Sequence, residues 1–107
     1  MIPKPKVGEV WWADLGMIAK TRPAVIMYYP SQDDARSLMT LAPLTSQILG
    51  GPWEVPISKP FWLPKKSVVD VQGLVSWDKN ALTRKMGTLS GSELKAVRDV
   101  LKTFLQL

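Results

Sequence analysis

"TRKMGTLSGSELKAVRDVLKTFLQL" (83–107) is where the pattern of the chain changes. Leu94, Val97, Leu101 and Phe104 recur at spacings of three and four, the stripe of one helix face. Ser90 and Glu93 make an S-x-x-E capping box, and Leu89 and Leu94 occupy the two positions of a hydrophobic staple. The spacing therefore predicts a helix that starts sharply near residue 91 and lays one face on the rest of the protein. No other stretch has a clear helical period. Upstream, short apolar and β-branched runs are separated by turn residues: "EVWWAD" (9–14), "AVIMYY" (24–29), "LMTLAPLTSQ" (38–47), "WEVPI" (53–57), "SVVDV" (67–71), "LVSW" (74–77) and, more weakly, "TRKMGTL" (83–89). Short strands at such spacing predict a small barrel or sandwich. The fold class is thus α+β, mainly β, with a C-terminal helix.

The chain has 107 residues, 46% of them hydrophobic, which suits a single domain over 1–107 with one real core. It has no cysteine, which removes disulfides, thiolate catalysis and thiolate metal sites. It has no histidine, which removes the Ser-His-Asp triad, the paired-histidine ribonuclease mechanism and common zinc sites. The net charge of +5 favours nucleic acid, an anionic membrane or an acidic partner. No stretch approaches the roughly 18 apolar residues of a membrane span. "MIPKPKVGE" (1–9) lacks a signal-peptide apolar core, so the expected location is the cytoplasm.

Three constellations carry chemistry. In "KTRPAVIMYYP" (20–30), Lys20 and Arg22 precede an apolar run, and Pro23 biases Arg22 toward an extended backbone. This reading places Arg22 in the connection 15–22, just before a strand beginning at Ala24. A guanidinium fixed there can clamp a phosphate with two parallel bonds; a solvated surface arginine is the plain alternative. In "PLTSQ" (43–47), Thr45, Ser46 and Gln47 offer hydrogen bonds to a phosphate or a base edge, or simply end a strand. Among the five tryptophans, Trp11 and Trp12 are adjacent and must face opposite ways in a strand, one toward the core and one toward bases or a partner. The carboxylates are scattered, and Asp33 and Asp34 are expected only to solvate a turn.

Taken in order, "GEVWWADLG" (8–16), "TRPAVIM" (21–27), "PLTSQ" (43–47) and "SVVDVQGLVSWDKNALTRKMGTLSGSEL" (67–94) resemble the MazF/PemK toxin family over nearly the whole chain. The resemblance implies an SH3-like β-barrel of the CcdB/PemK/MazF type, a homodimer, and a toxin of a type II toxin–antitoxin system neutralised by a cognate antitoxin protein. It implies a metal-independent endoribonuclease, or mRNA interferase, acting on single-stranded RNA without cofactor, metal or membrane. The family's functional arginine falls on Arg22 and its threonine on Thr45. Lys20, Thr21, Ser46, Gln47 and Gln72 are the implied RNA contacts. The chain departs from the family in "LGMIAK" (15–20), which is short and without an acidic residue; Lys20 is expected to compensate in part by attracting the backbone.

The chemistry so implied is attack of the ribose 2′-oxygen on the adjacent phosphorus, leaving a 2′,3′-cyclic phosphate and a 5′-hydroxyl. It needs an aligned nucleophile and stabilised charge on the phosphoryl oxygens. Arginine is a poor formal base, since its pKa exceeds about 12, so Arg22 is read as an electrostatic group. Rival readings are a gyrase poison on the same fold, a non-catalytic nucleic-acid-binding barrel, and an inactive homologue kept as an interaction module. The CcdB gyrase poisons use a Trp-Gly-Ile terminus, whereas this sequence reads "TFLQL" at 103–107.

Overall fold

β3 organises the sheet. The computed structural model describes residues 4–16 and 21–107. β1 (Glu9–Asp14), β2 (Thr21–Tyr28) and β3 (Leu38–Thr45) pair antiparallel in sequence order. β4 (Glu54–Pro56), β5 (Val68–Asp70), β6 (Val75–Asp78) and β7 (Leu82–Thr88) complete the sheet, in the order β4-β5-β3-β2-β1-β7 with β6 also on β3. Residues 38–41 of β3 pair with β6, while Leu44 and Thr45 pair with β5. Pro43 falls in the gap between those two ladders and pairs with Ala24 of β2 on its other edge. The strand path is open, with β4 and β7 as its ends. The architecture is mainly β with one long helix, barrel-like rather than a fully closed barrel.

β2 shows why its sequence does not alternate. Val25 lies in one core with Val10, Leu44, Val69 and Val97, while Ala24 and Ile26 lie in a second with Ala13, Met39 and Leu41. Both faces of the strand are covered, so the whole run is apolar. Trp11 packs on the second core, and Trp12 turns to the other face, where the Arg84 guanidinium sits 5.5 Å from its ring centroid. The two tryptophans face opposite ways as expected, but neither is fully buried.

The helix α1 (Gly91–Leu105) begins where the capping box predicts. Ser90 Oγ accepts from the Glu93 N–H at 3.1 Å, and Glu93 Oε1 accepts from the Ser90 N–H at 3.0 Å. Val97, Val100, Leu101 and Phe104 turn to the larger core. Glu93 Oε2 also accepts from the N–H and hydroxyl of Ser58, at 2.8 and 3.1 Å. The helix start thereby anchors the loop 57–67. That loop buries Leu63 in the core, leaves Phe61 in solvent, and lays Trp62 over Gly87 of β7. A Cβ on Gly87 would lie 2.3 Å from the indole ring, so only glycine admits this contact.

Several boundaries differ from the sequence reading. β2 begins at Thr21, not Ala24, so Arg22 and Pro23 belong to the strand rather than to the preceding connection. Pro23 pairs with Trp12 of β1 but lies one residue beyond the Ala24–Pro43 pairing that ends the β2–β3 ladder, so its missing N–H costs no bond on the β3 side. Tyr29 lies outside β2. β5 stops at Asp70, and Val71 opens a 3-10 turn over Val71–Gly73. Asp34 does more than solvate its turn: it accepts from the Tyr28 hydroxyl and from the Ser31 N–H, and these bonds hold its carboxyl below the usual range.

Candidate active site

Strand register brings the two principal candidates together. β2 and β3 pair through Ala24–Pro43 and Val25–Ala42. The ladder stops there, and Arg22 and Thr45 each lie two residues beyond it on their strands. Both side chains line the same two clefts, of about 460 and 260 Å³, and Arg22 also lines a third of about 240 Å³. Arg22 is exposed and Thr45 half-buried. The guanidinium therefore stands at the junction of three surface depressions, carried on a strand whose next residues are core.

Thr45 is preset by its own loop. Its Oγ1 accepts the Gln47 N–H at 3.1 Å, which ends β3 in a tight polar turn. That bond occupies a lone pair and leaves the hydroxyl proton to donate into the cleft. Beyond it, Gly50 adopts φ +79° and its N–H reaches Glu54 Oε1 at 2.7 Å, while the Leu49 N–H reaches Oε2 at 3.1 Å. Both oxygens of Glu54 are thus spent on the shape of the loop that displays Ser46 and Gln47.

The two larger clefts differ in charge. Among the described residues, the 460 Å³ cleft has Arg22 and Lys65 as its charged residues, with Trp12 as a wall, and no carboxylate. Its far side is fixed by Ser67, a buried polar residue whose hydroxyl donates to the Lys65 carbonyl at 3.0 Å. The 260 Å³ cleft contains Glu54 and Asp70 together with Gln47, Gln72 and Trp53. An anionic backbone is favoured on the first side of Arg22 and disfavoured on the second. Among the described residues, no three acidic side chains converge in a way that could hold a metal ion.

Of the residues named from sequence, Thr21, Ser46 and Gln47 join Arg22 and Thr45 at the larger cleft, and Gln72 joins them at the smaller one. Lys20 lies outside the described residues. The adjacent tryptophans signalled that one would face outward, and Trp12 is the one that walls the larger cleft. Sequence reasoning missed Lys65 and Ser67 from the loop 57–67, and Asp70; of these Lys65 had a legible signal, as one of the paired lysines in "PKKS" (64–67). The others reach the site through strand pairing and loop anchoring.

A small β-rich protein with an arginine and a hydroxyl at the meeting point of basic and polar clefts is built to hold an anionic polymer. The chain belongs to the PemK-like, MazF-like toxins of type II toxin–antitoxin systems, whose family model matches residues 6–105. It is 29% identical over 105 residues to the probable endoribonuclease MazF5 of Mycobacterium tuberculosis, covering 95% of this chain and 94% of that one. Among solved structures, the Mycobacterium tuberculosis toxin MazF-mt6 superposes with a TM-score of 0.79 at 25% identity, over 92% of this chain and 97% of the other. A MazE–MazF crystal structure from Deinococcus radiodurans gives 0.77 at 25% identity, over 96% of each chain. No helix among the described residues is long and apolar enough to cross a membrane.

Proposed function

We propose that this protein is a metal-independent endoribonuclease that cuts single-stranded RNA as the toxin of a type II toxin–antitoxin pair. The observation that carries the reading is that Arg22 and Thr45 line the same two clefts, at the point where the basic one meets the polar one. The similarity to a probable endoribonuclease supports the same activity.

The scissile phosphate lies against Arg22, whose planar fork neutralises the charge that grows on the non-bridging oxygens as the 2′-oxygen attacks. Thr45 donates its hydroxyl to one of those oxygens. The 2′-hydroxyl gives its proton to solvent water as its oxygen bonds to phosphorus, and the 5′-oxygen takes a proton from water as its bond to phosphorus breaks. The products are a 2′,3′-cyclic phosphate and a 5′-hydroxyl. Thr21, Ser46, Gln47 and Gln72 hold the flanking nucleotides, and Lys20, two positions before Arg22 in the sequence, adds to the positive charge of the chain. Residues 1–107 act as one catalytic domain, in a cytoplasmic homodimer, and a cognate antitoxin silences it; the MazE–MazF complex of Deinococcus radiodurans supports such a partner.

The test is direct. Purified protein is incubated with long single-stranded RNA in EDTA, and the new ends are mapped. Discrete cuts ending in cyclic phosphate are expected. Retention of RNA without cutting, or cleavage of DNA that depends on gyrase, would replace this reading with one of its rivals.

A further inference from the structure

The smaller cleft contains a group that a phosphate site has no use for. Asp70 ends β5, and its carboxylate makes no hydrogen bond or ion pair among the described residues. Glu54, its partner across the β4–β5 ladder, is already engaged by two backbone N–H groups. A Cβ on Gly73 would come within 2.9 Å of Asp70 Oδ2 and 2.8 Å of the Pro43 ring, so the glycine leaves the carboxylate room over the turn. An unpaired carboxylate in the same cleft as Arg22 weakens the grip on any phosphate that enters. It strengthens binding only of a ligand edge rich in N–H donors.

We infer that this cleft reads one nucleobase next to the scissile phosphate and selects an amino-bearing base, guanine best of all. The inference rests on the ribonuclease reading for its account of the neighbouring phosphate. The chemistry follows the donor inventory. Guanine offers adjacent N1–H and N2–H donors, which can satisfy both oxygens of Asp70 at once, and a carbonyl beside them that can accept from the amide of Gln72 or Gln47. Cytosine and adenine each offer an amino group. Uracil and thymine offer a single imide N–H between two carbonyls, which the carboxylate repels. Trp53, on the same wall, gives an aromatic surface of the kind that single-stranded bases stack on. At about 260 Å³ the cleft is smaller than the ~300–1,000 Å³ of sites for drug-sized ligands, and suits one base rather than a whole nucleotide. Gln47 and Arg22 line both clefts, so a base here and its phosphate at Arg22 belong to one continuous strand.

The experiment uses single-stranded pentadeoxynucleotides, which lack the 2′-hydroxyl and cannot be cut by the proposed chemistry. Each carries a central dG, dA, dC or dT in a dT background, and affinity is read by fluorescence anisotropy. The wild-type protein is expected to prefer central dG over dT by about tenfold, with dA and dC between. In Asp70→Asn, whose amide presents both a donor and an acceptor, the preference should shrink to about twofold or less. Equal affinity of the wild type for the dG and dT pentamers overturns the assignment. A preference that survives in a folded Asp70→Asn protein overturns it too. Failure of the ribonuclease reading shows separately, as ribo-oligomers that are bound and never cut.

Discussion

Glu93 caps helix α1 with one carboxylate oxygen and holds Ser58, 35 residues away, with the other. Local and long-range structure meet in this side chain. Glu93→Ala removes half of the capping box and all of the anchor on the loop 57–67. It should cost about 1–2 kcal/mol by chemical denaturation.

The same carboxyl predicts an acid limb in stability. Partial burial pushes the Glu93 pKa up, but hydrogen bonds from Ser90 and Ser58 outweigh it and leave the carboxyl below its ordinary value of 4.5. Glu9 behaves alike: burial raises it, and bonds from Trp11, the Lys6 N–H and the Lys85 ammonium lower it further. A carboxyl depressed in the folded state stabilises fully above its unfolded pKa, and that contribution is lost as pH falls through the folded value. The melting temperature should therefore be flat in this respect near neutrality and fall below about pH 4.5. Glu93→Gln should flatten part of that fall, as measured by thermal scans from pH 7 to pH 3. An unchanged acid slope in Glu93→Gln would count against this role.

Trp62 and Gly87 should behave as one unit. Gly87→Ala forces the indole to move and should destabilise by about 1–3 kcal/mol. In a Trp62→Ala background the same change should cost much less, because the clash is gone. A double-mutant cycle that proved additive would show that the two positions do not meet as described.

Arg22→Ala should lower kcat/KM on single-stranded RNA by about 10²–10³. The side chain is exposed, so stability should stay within about 0.5 kcal/mol of wild type. Arg22→Lys keeps the charge without the fork and should recover only part of the activity. Full activity in a folded Arg22→Ala protein would remove the proposed mechanism.

Thr45→Val keeps the shape and loses the hydroxyl. It should reduce kcat rather than merely raise KM, since the bond it removes is made to developing charge. Thr45→Ser should retain most of the rate, because serine can accept from the Gln47 N–H and donate into the cleft as threonine does. Single-turnover cleavage of a defined oligoribonucleotide separates the two variants.

The helix could be read from sequence because everything that makes it is local. Ser90 and Glu93 lie one turn apart, and the apolar spacing that follows is a property of adjacent turns. The existence of the seven strands was legible for the same reason; Arg22 and Thr45 were named through the family resemblance, and the fold sets both along the same two clefts. The ends of β2 and β5 were not, because Pro23 is tolerated or excluded according to where the neighbouring ladder stops. The site's outline was decided by tertiary structure alone. Trp12 and Lys65 are 53 positions apart and share a cleft. Leu63 enters the core from a proline-bracketed loop because Glu93 grips that loop from another element. Asp70 is one of nine scattered acids in the sequence, and it acquires a role only when β4, β5 and the turn after it enclose it beside Arg22. Periodicity and capping report forces between residues a few positions apart. Register, loop anchoring and the sorting of charge into separate clefts depend on contacts between distant segments, and those become definite only when the sheet closes over its two cores.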